Sequence, residues 1–169
     1  MKKLFLIACG LLMATAIFAQ RYALIDTRYI YEKMPEYKQV QKSVEAAAAD
    51  WQKEIDAKQA TLNKLYDDYD AQKNMMSEDI MKKKEDELFK KEKELRDLQK
   101  KRFGFEGDLF NKRVELMKPL QEKVSDAVKK LASKNGYELI LDKSEGKTII
   151  FADPKLDKSD DILRELRIR

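Results

Sequence analysis

Apolar residues recur every three or four positions in the stretch that follows Pro35. The series consists of Tyr37, Val40, Val44, Ala48, Trp51, Ile55, Leu62, Leu65 and Tyr69. This spacing places the apolar side chains on one face of a helix, where they can pack against a partner helix. Proline suits the first position of a helix, because its missing N–H has no bond to make there. The pattern therefore predicts one long helix over residues 35–73.

A second helical run follows a short polar segment at residues 74–78, which predicts a bend. Ser77 is a typical N-cap residue, and the acidic residues that begin at Glu78 would lie in the first turn, where the helix dipole favours negative charge. The returning helix is predicted to end near residue 134, because Gly136 is a C-terminal stop signal. The two helices would form a helical hairpin.

Columns of residues spaced seven apart separate the faces of the returning helix. The predicted seam against the first helix contains Leu88, Leu95, Leu98, Phe105, Leu109 and Leu116, and Arg102 interrupts it. A neighbouring column contains Phe89, Phe103 and Phe110, and in the distal half polar residues separate it from the seam. These phenylalanines either wrap into the coiled coil as the seam drifts around the helix or face away from it.

Gly104 and Gly107 lie inside this helical run. Glycine is about 1 kcal/mol less favourable than alanine in a helix interior, so two of them normally indicate a loop. The seven-residue phase nevertheless continues from Leu95 to Leu116, whereas a loop would usually reset it. We therefore predict that the helix continues through both glycines, which either act as a hinge or allow the two arms to pack closely.

Short apolar runs of strand type lie on both sides of the hairpin in the sequence. They cover residues 21–26, 137–142 and 147–152, and the turn signal between the last two predicts a β-hairpin. A brief helix is predicted over residues 27–34 and a final short helix from Ser159. The residues expected in the strands are Tyr22, Leu24, Ile25, Leu139, Ile140, Leu141, Ile149, Ile150 and Phe151. Three strands and a short helix bury too little apolar surface to be stable alone, so this part should oligomerise.

The fold class is therefore mainly α with a small β body. Residues 20–34 and 135–169 are predicted to form the body, with a short C-terminal helix, and residues 35–134 the helical hairpin.

Residues 1–19 have the pattern of a secretory signal peptide. A cationic start precedes an apolar run, and cleavage is predicted between Ala19 and Gln20. An uncleaved membrane anchor is the less favoured interpretation, because the run is shorter than the roughly 20 residues that a span needs. Lipidation at Cys9 is a further alternative, since residues 6–9 resemble a lipoprotein cleavage box.

The composition argues against an enzyme. The chain has no histidine, and its single cysteine, Cys9, lies in the predicted signal peptide. The usual general base, the thiol nucleophile and the commonest zinc ligands are therefore missing from the predicted mature chain. We expect no catalytic residues, no cofactor and no metal. The formal net charge is +4, of which Lys2 and Lys3 in the predicted signal peptide supply two, and the remaining charge is too balanced to indicate a nucleic-acid partner.

Several segments taken together carry a resemblance. They are the signal peptide, a first strand that ends in Ile25-Asp26, the sequence Met-Pro-Glu-Tyr at residues 34–37 that leads into the hairpin, and a closing strand at residues 137–142. This arrangement resembles the Skp (OmpH-like) family of periplasmic chaperones over nearly all of the mature chain. The resemblance implies a homotrimer with a β-barrel base and three helical-hairpin tentacles around a cavity. Such proteins hold unfolded outer-membrane proteins there without ATP.

Under this resemblance, the off-seam residues Phe89, Phe103 and Phe110 are candidates for contact with unfolded clients. Met75 and Met76 at the bend are further candidates, because methionine adapts its shape to different partners; capping of the hairpin end is the alternative. Tyr66 and Tyr69 would extend the same surface. The lysines at residues 82–84 would give weak contact with a membrane surface, which the acidic residues before the bend oppose.

Two other interpretations remain open. A prefoldin-like chaperone also carries helical hairpins on a β body, but that architecture is cytosolic and the signal sequence counts against it. A structural coiled-coil protein of the envelope that acts as a spacer or tether is the second. Such a spacer has no need of phenylalanines outside its seam.

Overall fold

A computed structural model describes residues 21–146 and 149–168. The predicted signal peptide, its cleavage site between Ala19 and Gln20, and Cys9 lie outside the described residues. The elements in chain order are β1 (Tyr22–Ile25), α1 (Thr27–Lys33), α2 (Pro35–Gln72), a 3₁₀ turn (Lys73–Met75), α3 (Glu78–Phe103), α4 (Asp108–Asn135), β2 (Leu139–Asp142), a second 3₁₀ turn (Pro154–Leu156) and α5 (Ser159–Glu165).

The chain divides into two compact units. The first joins the described residues up to Met34 with those from Glu122 onward, and the second is Pro35–Gln121. Helix α4 therefore begins in the second unit and ends in the first.

Helices α2 and α3 form an antiparallel pair within the second unit. Ile55 and Leu62 of α2 pack with Leu88 and Leu95 of α3 in one buried cluster. Fully burying such a side chain contributes roughly 1.5–3 kcal/mol relative to leaving it exposed. The apolar stripe that predicts the hairpin is thus the stripe that holds it together.

The predicted bend is confirmed. Helix α2 ends at Gln72, the turn Lys73–Met75 follows, and Ser77 is the N-cap residue of α3 by position. Its hydroxyl makes no capping bond, while the carboxylates of Glu78 and Asp79 lie in the first turn of α3. Negative charge is stabilising at this position, because it lies next to the positive end of the helix dipole.

The prediction of one continuous returning helix is wrong. Helix α3 ends at Phe103, Gly104 is its C-cap residue, and α4 begins only at Asp108. Phe105 does not lie in the seam, since its side chain is 97% exposed. The seven-residue pattern does not reveal this break, because Leu109 on its far side is half-buried, as the pattern expects of a seam residue.

The first unit contains a two-stranded parallel sheet. Strand β1 pairs with β2 in the register that sets Tyr22 opposite Leu139 and Ile25 opposite Asp142. On its other side, within the described residues, β1 makes only a bridge from Leu24 to Asp157. The buried residues of this unit include Ala23, Leu24, Ile25, Ile30, Met34, Ile162 and Leu163.

The predicted third strand and the β-hairpin are wrong for the described part of the chain. Residues 149–152 form no strand, and residues 147 and 148 are not described. Strand β2 takes β1 as its partner instead of the segment that follows it. Ile150 and Phe151 are consequently fully or almost fully exposed, at 102% and 86%.

Polar side chains tie the ends of these elements together. The carboxylate of Asp142 accepts bonds from the backbone N–H of Thr27 at 3.2 Å and from the Thr27 hydroxyl at 2.6 Å. The Lys143 Nζ lies 2.7 Å from the Asp157 carboxylate, and the Ser159 hydroxyl donates to that carboxylate at 2.6 Å. These bonds connect the start of α1, the end of β2 and the start of α5.

Candidate functional site

Three phenylalanines on the hairpin are exposed outside the packed seam. Phe89 is 63% exposed, Phe103 39% and Phe110 51%. Phe89 and Phe103 belong to α3, whose buried residues are Leu88 and Leu95, while Phe110 lies in the first turns of α4. The phenylalanines that the sequence separates from the seam are thus exposed in the second unit, two on α3 and one on α4.

The two methionines at the bend have different surroundings. Met75 is 82% exposed. Met76 is half-buried and lines an open cleft of about 150 Å³ together with Leu65, Tyr69 and Leu88. Met76 therefore covers the end of the hairpin seam, and Met75 is the methionine that is free to meet another molecule.

Tyr66 and Tyr69 connect the two helices of the hairpin. The Tyr66 hydroxyl donates to Glu92 Oε1 at 2.6 Å, and the Tyr69 hydroxyl donates to Glu85 Oε1 at 2.6 Å. These bonds, with burial adding to their effect, raise the pKa of both phenols above the ordinary value. Both rings also pack against the buried cluster of the hairpin. Their geometry indicates that they fix the register of α2 against α3.

One lysine at the start of the bend and one after it are paired with neighbouring carboxylates. Lys84 pairs with Glu87 at 3.4 Å, and Lys73 pairs with Asp70 at 2.9 Å. Ion pairs this exposed contribute little to stability, but they reduce the positive potential of the bend.

Arg102 forms ion pairs with two other helices, which the sequence patterns do not predict. One terminal nitrogen lies 2.9 Å from Glu54 Oε2 on α2, and the other lies 2.6 Å from Asp108 Oδ2 at the start of α4. The guanidinium also lies over the Trp51 ring, 5.0 Å from its centroid. The bond to Asp108, and then that to Glu54, raise the pKa of Arg102 above the ordinary value. The sequence signal for these contacts is a cation inside a column of leucines, because a charged side chain at a seam position needs polar or charged partners.

The segment between α3 and α4 is a compact turn that depends on its two glycines. The N–H of Gly104 donates to the Lys100 carbonyl at 2.8 Å, and the N–H of Gly107 donates to the Gly104 carbonyl at 2.9 Å. A Cβ atom on Gly104 would lie 2.3 Å from the Lys100 oxygen, and one on Gly107 would lie 2.7 Å from the Lys101 oxygen. Neither position accepts a larger residue unless the turn changes.

The predicted residues of the body fall into two sets. Leu24 and Ile25 are buried within the chain, and Ile140 and Ile149 are half-buried. Tyr22, Leu139, Leu141, Ile150 and Phe151 are exposed.

Two other kinds of feature are missing from the described residues. No group of three or more His, Cys, Asp and Glu side chains there is arranged to hold a metal ion. Likewise, no helix in residues 21–146 and 149–168 is both long and apolar enough to cross a membrane.

Comparisons with known proteins agree with this architecture. A family model for outer membrane protein (OmpH-like) matches residues 21–166. The chaperone protein Skp of Yersinia enterocolitica is 25% identical over 166 residues, which cover 94% of this chain and 93% of that protein. A crystal structure of an OmpH-like protein from Caulobacter crescentus superimposes with a TM-score of 0.68 at 13% identity, covers 87% of this chain and 85% of that chain, and supports the fold. The predicted resemblance is confirmed, and the chain belongs to the OmpH-like family.

Proposed function

We propose that this protein is a periplasmic holdase chaperone that keeps unfolded outer-membrane proteins soluble for membrane assembly without ATP. Family membership supports a chaperone of outer-membrane proteins. The observation that carries the proposal is the exposure of Phe89, Phe103 and Phe110 on a hairpin whose seam is buried. Unfolded membrane strands offer alternating apolar side chains, and spaced aromatic rings on a charged wall can hold them through many weak contacts.

The proposal includes a cleaved signal peptide and a homotrimer. Residues 20–34 and 135–169 would form the trimeric β-barrel base, and residues 35–134 would form one tentacle of three around a client cavity. The exposed apolar residues of the body support this, because Tyr22, Leu139, Leu141, Ile150 and Phe151 are left uncovered by their own chain.

A structural spacer is the weaker candidate. It would need the Leu62, Leu88 and Leu95 seam but would have no use for exposed phenylalanines beside it. The exposure of Met75 at the bend is likewise explained by contact with clients and not by a spacer role. Contact with a membrane surface through residues 82–84 is proposed as weak at most, since Lys84 is already paired.

Light scattering tests the proposed function. An outer-membrane β-barrel protein is diluted from urea into buffer, with and without a molar excess of the mature protein and with no nucleotide present. We expect the protein to suppress the rise in scattering, because it covers the apolar strands of the client. Unaltered aggregation would sink the chaperone proposal and leave the spacer.

A further inference from the structure

The break between α3 and α4 exposes one aromatic ring more completely than any residue of the off-seam column. Phe105 is 97% exposed, whereas Phe89 is 63% exposed and Phe110 51%. A ring with this exposure makes almost no contact within its own chain. Its apolar surface is therefore available to another molecule.

The turn that exposes Phe105 is specified by its sequence. Both glycines lie too close to backbone oxygens of the last turn of α3 to carry a Cβ atom. Glu106 has φ of 53°, in the left-handed region that residues with side chains rarely adopt. Asn111 supports this residue by donating from its side-chain amide to the Glu106 carbonyl at 3.0 Å. Backbone conformations of this kind are often retained at functional sites, which motivates a functional hypothesis for this turn.

Arg102 holds the two sides of the turn together. Its guanidinium joins Asp108, the first residue after the turn, to Glu54 on α2. The side chain of Arg102 is only 22% exposed, and it lies against Trp51. Arg102 thus occupies the seam at the level where the heptad pattern would continue with apolar residues. Phe105 lies three residues further along the chain, outside the seam.

We propose that residues 104–107 form a client-binding element, in which Phe105 contacts the apolar side chains of an unfolded outer-membrane polypeptide and Arg102 is a positioning residue. This inference rests on the proposed function and adds a site to it. A ring on a short, clamped turn loses little conformational freedom on binding, which favours contact with many different client segments.

The first experiment compares Phe105→Ser with Phe105→Leu as the matched control. Binding of a fluorescently labelled, urea-unfolded outer-membrane β-barrel protein is titrated with each variant. We expect Phe105→Ser to weaken the affinity by roughly fivefold to tenfold, the loss expected for an aromatic ring that the client covers about halfway, and Phe105→Leu to stay near the wild type. Circular dichroism and sedimentation should show unchanged helix content and oligomeric state for both.

The outcomes separate this inference from the proposed function. If the wild type binds no client, the proposed function fails and takes the inference with it. If the wild type and Phe105→Ser bind equally, only the inference is wrong. If Phe105→Ser lowers the oligomeric state, the ring is a contact between copies of the chain, and the inference is again overturned.

The second experiment tests the positioning role of Arg102. Arg102→Met keeps an apolar stem against Trp51 but removes the bonds to Glu54 and Asp108. We expect it to weaken client binding, and we expect the double variant with Phe105→Ser to bind no more weakly than Phe105→Ser alone, because both act through one ring. Additive losses would show that Arg102 does not act through Phe105.

Discussion

Asp142 and Asp157 are the two carboxylates whose surroundings matter most for the body. Burial alone would raise the pKa of each, but the hydrogen bonds from Thr27 and Ser144 to Asp142 outweigh it, as do those from Lys143 and Ser159 to Asp157. The pKa of both carboxyls is therefore lowered below the ordinary value of 3.8. Asp142 joins the end of β2 to the start of α1, and Asp157 joins the residue after β2 to the start of α5, so their ionisation is coupled to folding.

This coupling predicts acid sensitivity. A carboxyl with a lowered pKa in the folded state stabilises the fold fully above the unfolded value of 3.8, and this contribution is lost as the pH falls through the lower folded value. We expect Asp142→Asn to cost about 1 kcal/mol at neutral pH. It should also reduce the loss of stability on acidification, measured by thermal unfolding with circular dichroism. Asp126→Asn, on an exposed turn of α4, is the control. An unchanged pH dependence in Asp142→Asn would contradict this account.

The break between α3 and α4 is the feature of the elements on which the proposed client contact at Phe105 depends. The heptad phase is kept across it, so a continuous helix would still place Leu109 and Leu116 toward the seam. Two glycines weaken that continuous helix, and the Arg102 bonds favour the broken form. The segment 104–107 is therefore a candidate hinge between a broken and a continuous state.

Replacing both glycines tests the hinge. Gly104→Ala with Gly107→Ala removes the fit of the turn and favours the continuous helix by about 2 kcal/mol. We expect slower amide hydrogen exchange across residues 104–107, because their N–H groups gain helical bonds. Lys101→Ala, which changes the same region without removing a glycine, should leave this exchange unchanged. Faster exchange in the glycine variant would show that the glycines serve close packing and do not form a hinge.

Local patterns predicted the elements of this fold better than the way they pair. Pro35 and Gln72 bound α2 almost where the apolar stripe places its ends, and the brief helix Thr27–Lys33 follows β1 as expected. The parallel pairing of β1 with β2 was not predicted, because strand partners far apart in the chain leave no local signal. Residues 149–152 have strand composition but no neighbouring strand in the described part of the chain.

The candidate site was predicted in part for the same reason. The seven-residue columns placed Phe89, Phe103 and Phe110 outside the seam, and all of them are exposed. The same columns placed Phe105 inside it, because periodicity cannot detect a turn that preserves the phase. Arg102 was recognised only as an interruption, since its partners Glu54 and Asp108 come from other elements.

The whole molecule has apolar surface in both of its units that its own chain does not cover. In the first unit this surface includes Ile150 and Phe151, and in the second it includes Phe89 and Phe105. We assign the first set to contact between copies of the chain and the second to contact with clients. The two assignments require different partners. A single mixture of the protein and a client can therefore test both, through the number of chains that associate and through the binding of the client.

Sedimentation of the mature protein with an unfolded outer-membrane β-barrel protein tests this account most directly. Alone, the protein should sediment as a trimer. With the client diluted from urea and no ATP, it should form a soluble complex of three chains with one client, measured by analytical ultracentrifugation with a labelled client. A monomer that leaves the client to aggregate, at any excess of the protein, would contradict the account.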